Sequence, residues 1–208
     1  MSAIVIRAAR AEDVSALTII EQEAWPAGMN ASAEQIRARI AAFPRGQLVA
    51  VLHDEVVGVV WSQRVTPAQI FGKDVTYAQL TDHGCFTASH RDAGEVFQLI
   101  GVAVGTAGRK LRLGRQLVDA EIALARTLPG VTRILGFTRP RGFQHFAAQH
   151  PGATIEQYVV ERSENGRPHD PLLAFHLTAG ARLVSVQAQF RPEDDESHGY
   201  GALIEYAC

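Results

Sequence analysis

The sequence predicts an α/β (α+β) fold, a central mixed and mostly antiparallel sheet flanked by helices. Three observations carry that expectation. Apolar runs and helical periods follow one another in the order β-α-α-β-β-β-α-β-α-β-β. The run FQLIGVAV ends at Val104, crosses a glycine-punctuated cationic loop, and gives way to a helical pattern near Leu113. There Leu113, Leu117, Ala120 and Leu124 recur at three- and four-residue steps, on one helix face. Finally, 208 residues with 47% apolar and 20% charged content suffice for one well-cored domain. Residues 1–208 are therefore expected to form a single domain, with a loop-rich insertion around 65–94.

Ala3 to Ala8 reads as the first strand, Ile4 and Ile6 on one side and Val5 on the other. Glu12 and Asp13 open a helix through Val14, Leu17, Ile20 and Glu21, their carboxylates suiting its positive end. It stops at Trp25-Pro26. Ser32 followed by Gln35 forms a capping box for a second helix, Ala33 to Ala42, which Phe43-Pro44-Arg45-Gly46 breaks. Gln47 to Leu52 and Val56 to Arg64 are strands joined across His53-Asp54-Glu55. Val65 to Gly94 keeps no period and reads as an insertion before the core strand, with room for a short helix, and not as a separate domain.

After the central strand and helix, Val131 to Phe137 is another strand, ending at Thr138-Arg139-Pro140. Gln144 to Gln149 and Ile155 to Arg162 read as helical or irregular. Asp170-Pro171 opens a helix by combining a cap with proline at the first position, and Leu172 to Ala179 closes at Gly180. Ala181 to Ala188 and Gly201 to Tyr206 are the last strands.

A net charge of -2 argues against a general nucleic-acid binder. Cys85 and Cys208 are too far apart in sequence to suggest a disulfide framework or a metal motif. His83, Cys85 and His90 have no recognised ligand spacing, and His145 and His150 less, so no metal is expected. The N-terminus lacks a long apolar leader and no run approaches membrane-spanning length, so a cytoplasmic protein without a membrane partner is expected.

The chemistry-bearing stretch is the junction after Val104. A strand that stops where a helix starts leaves backbone N–H groups unpaired, and these with the helix dipole favour an anion. Arg109, Lys110, Arg112 and Arg115 crowd the same turn, which points to phosphate. Strand, turn and helix resemble the acyl-CoA-binding core of the GCN5-related N-acetyltransferase (GNAT) superfamily. Its Arg/Gln-x-x-Gly-x-Gly/Ala motif falls on Arg109-Lys110-Leu111-Arg112-Leu113-Gly114, with arginine at the central glycine position. The resemblance implies that Val102, Val104, Arg109, Lys110, Leu111, Arg112, Leu113, Gly114 and Arg115 hold coenzyme A or a phosphopantetheine thioester.

The second half sharpens the resemblance. PHDPLLAFHLTAGARLV, FRPEDDESHGYGALIEY, and earlier EQEAWPAGMNAS and FPRGQLVAV look like a GNAT-like branch that includes polyketide synthase loading domains. The likeness runs from Ile4 to Tyr206. In the loading domains the activity is decarboxylation of a malonyl-type thioester, leaving an acetyl-type starter on an acyl carrier protein. The resemblance implies a catalytic pair at Thr138 and His176, with Trp25 and Arg191 near the same pocket. It equally fits a domain of a larger synthase.

Each residue also has a plainer reading. His176 shares a helix face with Leu172, Leu173 and Gly180, as a core histidine would; Thr138 suits a strand end, Trp25 a core, and Arg191 a pair with Glu193 or Asp194. Three functions are weighed: a malonyl- or methylmalonyl-thioester decarboxylase, an acetyl-CoA-dependent N- or S-acetyltransferase, and a non-catalytic thioester or carrier-protein binding module. Acetyl transfer to an amine needs a base and an acid, for which Glu95 and Tyr200 or Tyr206 are the candidates.

Overall fold

The structure, a computed structural model, describes residues 4–208 and only the backbone at Lys110; the expected strand start at Ala3 lies outside them. The strands are β1 (Val5–Ala8), β2 (Gln47–Leu52), β3 (Glu55–Val65), β4 (Val96–Val104), β5 (Arg133–Thr138), β6 (Arg182–Gln187) and β7 (Gly201–Tyr206). The helices are α1 (Val14–Ala24), α2 (Ala33–Ala42), one-turn α3 (Pro67–Ile70) and α4 (Tyr77–Leu80), α5 (Leu113–Thr127), α6 (Phe143–Gln149), α7 (Ile155–Val160) and α8 (Pro171–Thr178). All seven strands form one sheet in the order β1-β2-β3-β4-β5-β7-β6. Neighbours are antiparallel except β4 and β5, which run parallel and are linked by the crossover helix α5.

Local chemistry accounts for most element ends. The β2–β3 turn is His53 and Asp54, both with positive φ (50° and 65°), the geometry of a two-residue type I′ hairpin. Glu55 therefore joins β3, and the connection is one residue shorter than expected. Ser32 and Gln35 exchange the anticipated reciprocal cap, Ser32 Oγ accepting from Gln35 N at 3.3 Å and Gln35 Oε1 from Ser32 N at 2.7 Å. The first helix starts later than expected, because Ala11–Asp13 forms a separate tight turn. Asp13 accepts from Arg7 at 2.7 and 2.9 Å and from the Arg10 N–H at 2.8 Å, pinning the helix start to β1.

Two layers cover the sheet. Leu17 and Ile20 of α1 and Ile36 of α2 pack with Val49, Val59 and Trp61 on one face. Leu113, Leu117, Val118 and Ile122 of α5 and Leu173 of α8 pack with Val60, Phe97, Leu99 and Ile134 on the other. The insertion completes the first layer where α1 and α2 do not reach. Ile70 and Leu80 cover Val65, Val96, Leu135 and Leu203. Gln63 fastens it down, donating to the Leu80 carbonyl (2.8 Å) and Gln98 (2.9 Å) and accepting from Ser89 (2.7 Å).

The inward face of α5 is rotated from the one its period suggested. Leu113 and Leu117 are buried, but Ala120 and Leu124 are only half-buried, and Val118, Glu121, Ile122 and Ala125 take their place. Glu121 is fully buried and neither carboxyl oxygen has a hydrogen bond among the described residues. The adjacent Ser62 hydroxyl donates to the Gly46 carbonyl at 2.6 Å. Burial pushes the Glu121 carboxyl well above the usual carboxylate range.

A folded-state pKa above the unfolded value gives stability that is full below the ordinary carboxyl range and declines as pH rises through the raised value. Glu121→Gln should flatten that alkaline decline in urea melts run from pH 5 to 9. Glu121→Met, which removes the orphaned polar atoms at similar volume, should stabilise neutral-pH melts by about 1–3 kcal/mol.

Candidate active site

The site begins where the two parallel strands part. β4 and β5 pair from Val96↔Arg133 to Leu99↔Gly136 and no further, although β4 continues to Val104 and β5 to Thr138. At Gly136 a Cβ would lie 3.0 Å from the Leu99 carbonyl oxygen, so a side chain there would press on the last close approach. On the other edge of β4, register slips between Trp61↔Gly101 and Ser62↔Leu99, leaving Ile100 as the extra residue of a bulge. The Trp25 ring then lies against bare Gly101, where a Cβ would be 3.0 Å from Trp25 Cζ2.

The parted strands open a cavity of about 110 Å³ that passes between them. Trp25, Ile100 and Phe137 line it from the α1 side, and Val118, Leu172, Phe175 and His176 from the α5 and α8 side. Thr138, 5% exposed, is paired with Ala202 of β7 as the last residue of β5. The expectation put it just beyond the strand. Among the described lining residues there is no aspartate or glutamate. Three of the four expected catalytic residues, Trp25, Thr138 and His176, thus meet at one cavity.

Arg191 is the exception. It lies behind Trp25, its guanidinium 5.7 Å from that ring and 4.2 Å from Tyr77, and lines a neighbouring polar recess instead. Its Nε donates to Glu193 at 3.0 Å and its Nη2 to the Met29 carbonyl at 2.8 Å, close to the plainer reading of its sequence. The arginine that does line the cavity is Arg139. Asp194 accepts from it at 2.5 and 2.6 Å and Glu196 at 2.9 Å. Burial works against its charge, but these carboxylates outweigh it and raise its pKa. No local pattern in the sequence pairs Arg139 with residues 55 and 57 positions away.

His176 is carried by α8, whose start is fixed by Asp170. One carboxylate oxygen accepts from Leu172 and Leu173 N–H at 2.9 Å, and the other from the Tyr158 hydroxyl at 3.0 Å and Gly142 N–H at 3.1 Å. Its Nδ1 is 2.7 Å from the Tyr206 hydroxyl. Burial pushes the imidazole down to about 4, so it is neutral at physiological pH. Of the candidates for acetyl transfer, Glu95 is exposed and outside the cavity lining, Tyr200 packs edge-on against Phe143, and Tyr206 is committed to His176.

No family model matches the chain. The GphF GNAT-like decarboxylase, solved in complex with isobutyryl-CoA, is 31% identical, covers 98% of each chain and superposes with a TM-score of 0.84. The chain belongs to the GNAT superfamily. The loading GNATL domain of CurA from Lyngbya majuscula is 26% identical over 99% of this GNAT chain and 98% of its own, with a TM-score of 0.87. The "Uncharacterized N-acetyltransferase YkwB" of Bacillus subtilis (strain 168) is 28% identical over 98% of this chain and 88% of its own length.

The stretch expected to bind the thioester forms a tight turn, Thr106–Leu111, followed by Arg112 as the residue before α5. Of the expected ligand-holding residues, Val102 lines the cavity, Gly114 faces Val102 and Phe175, which an added Cβ would meet at 3.7 Å, and Leu111 is exposed. Val104 and Leu113 instead pack toward the core on the α5 side; Leu113 is fully buried, so only its backbone is available, and Val104 is half-buried. The cations are less crowded than their sequence suggests. Arg109 Nη2 donates to the Glu23 carbonyl at 2.9 Å, and Arg115 turns along the helix to Asp119 at 2.8 Å. The Lys110 side chain lies outside the described residues.

Arg112 has φ 53° and ψ 31°, left-handed backbone. That conformation supplies a physical reason for glycine at the motif's centre, since a side chain there is strained. Arg112→Gly should therefore raise stability by roughly 0.5–1 kcal/mol, read as a shift in urea midpoint at constant m-value.

Proposed function

We propose that this chain decarboxylates a malonyl- or methylmalonyl-type thioester, carried on coenzyme A or on the phosphopantetheine of an acyl carrier protein, to the acetyl- or propionyl-type starter unit of a polyketide. The carrying observation is the cavity itself, in which a threonine hydroxyl and a neutral histidine line an apolar gap with no carboxylate side chain. The likeness to the GphF GNAT-like decarboxylase supports the same reading.

Decarboxylation requires no base. The bond between the α-carbon and the carboxylate breaks, its electron pair passes into the thioester carbonyl, and carbon dioxide leaves. The resulting enolate then takes one proton at carbon from solvent. His176 donates a hydrogen bond to the developing oxyanion, and Thr138 holds the thioester in the conformer that aligns the breaking bond with the carbonyl π-system. Trp25, Phe137 and Phe175 keep water from the carboxylate, which raises its energy relative to the more dispersed charge of the transition state.

The pairing of Arg139 serves the same end. An unpaired guanidinium would stabilise the substrate carboxylate more than the neutral product and so oppose its loss. Asp194 and Glu196 already neutralise it. Acetyl transfer, which the name of the YkwB relative suggests, would need a base that the cavity lining does not provide. The shared likeness to a loading domain supports a carrier protein as the source of the thioester, with residues 1–208 acting as one domain.

Mass spectrometry of malonyl- and methylmalonyl-loaded carrier protein, beside the coenzyme A thioesters, should register carbon dioxide loss without added amine. His176→Ala should lower that rate on the order of a hundred- to a thousandfold. Thr138→Ala should lower it less, and the double variant should be little worse than His176→Ala alone. The parent rate should stay flat through neutral pH and fall only toward pH about 4, where His176 protonates. An unchanged rate in His176→Ala, or transfer of acetyl to amines in place of carbon dioxide release, would remove this reading.

A further inference from the structure

The imidazole of His176 can present either a proton or a lone pair to the cavity, and what bonds its other nitrogen decides which. That partner is Tyr206, whose hydroxyl lies 2.7 Å from Nδ1. Tyr206 is 3% exposed and sits on β7 opposite Ile134, one strand beyond Thr138. Its hydroxyl has no other hydrogen bond among the described residues. Burial raises the phenol's pKa, so the hydroxyl keeps its proton.

Two arrangements are open to this pair. If Nδ1 carried the hydrogen, it would donate to the phenol oxygen, and the phenol's own proton would be left buried without an acceptor. Nε2 would then offer the cavity only a lone pair, which repels an oxyanion. If Tyr206 donates to Nδ1, the phenol proton is used and Nε2 carries the only remaining hydrogen. The second arrangement uses both the phenol proton and the Nδ1 lone pair, and the one group it leaves without a partner is a donor, Nε2–H.

We propose that Tyr206 is a positioning residue: by donating to Nδ1 it holds His176 in the Nε2–H tautomer and aims that N–H into the gap between β4 and β5. The role rests on the decarboxylase reading only for its catalytic consequence; the tautomer itself is a property of the resting protein. Tyr206 touches no reacting atom. It contributes by ensuring that no fraction of the enzyme faces the thioester with a lone pair, and by fixing the ring's rotation about its side-chain bonds.

Two readouts separate the parts. Nitrogen-15 NMR of the histidine-labelled resting protein, without substrate, should show His176 as the Nε2–H tautomer with an unprotonated Nδ1. Tyr206→Phe, which keeps the ring and removes the hydroxyl, should mix the tautomers. With malonyl-loaded carrier protein the same variant should lose kcat by between about tenfold and the hundred- to thousandfold of losing an oxyanion donor outright, with KM little changed. An Nδ1–H tautomer in the parent overturns the proposal, and that spectrum decides the matter even should Tyr206→Phe fail to fold. So does a folded Tyr206→Phe with the parent's tautomer and kcat. If the parent shows the Nε2–H tautomer yet releases no carbon dioxide from any of the thioesters, the decarboxylase reading falls while the Tyr206 assignment stands.

Discussion

The parting of β4 from β5 after Leu99 and Gly136 is the constraint on which the site depends. A parallel pair cannot be closed by a tight turn, so the chain must cross over the sheet through α5. That crossover puts the helix start, with its unpaired N–H groups, beside the end of β4. The bulge at Ile100 acts on the same strand from its other edge. Side chains normally alternate along a strand, but Ile100 and Gly101 both turn toward α1, and Trp25 lies across them. One strand thus supplies the edge of the gap, its floor and the seat for its aromatic wall.

Polar groups around the gap are held so tightly that few are left to interfere with it. Glu21 accepts from Trp61 Nε1 at 2.7 Å and from Ala31 N–H at 2.9 Å, fixing the end of α1 and hence Trp25. The Arg39 guanidinium lies over Trp61 and Phe86, at 5.1 and 4.9 Å, and donates from Nε to the Gly84 carbonyl at 2.7 Å. This ties α2 to the insertion. Buried charges are costly unless paired and fully bonded, and here the Glu21 bonds fasten the end of α1, which borders the cavity, while those of Arg39 fasten the layer around it. Glu121 is the opposite case, a buried acid whose burial is relieved by protonation alone.

What the sequence made legible was local or carried by resemblance. The Ser32 box and the Asp170-Pro171 opening need only neighbours within three residues, and both formed as expected. The strands were found because β-propensity and burial agree along them; their ends moved by one or two residues where a turn, as at His53 and Asp54, was tighter than its composition suggested. Thr138, His176 and Trp25 came from likeness, since nothing in a lone threonine or histidine distinguishes a site from a core. Contacts between distant segments were not legible. The Arg139–Asp194 pair, the Tyr206–His176 bond and the rotated face of α5 depend on how β5, β7 and α8 pack, which no local period encodes. Arg191 illustrates the same limit: it stands against the Trp25 ring but lines the neighbouring recess, and adjacency in a motif does not say which of the two a side chain will enter.

The electrostatics of the gap separate the candidate chemistries more sharply than its shape does. An amine acceptor arrives largely as a cation and must lose a proton before it attacks, so its site needs a carboxylate or a basic imidazole within reach. Here no carboxylate side chain is among the described lining residues, and an imidazole pushed down to about 4 is a poor base at neutral pH. The same imidazole is well suited to donate a hydrogen bond while remaining uncharged. A cationic donor would stabilise the starting carboxylate as well as the enolate, and the difference between the two, which is what lowers a barrier, would shrink. In the proposed reaction a neutral donor, set among apolar walls in a cavity whose arginine is already neutralised, favours the state in which charge has moved from carboxylate to carbonyl.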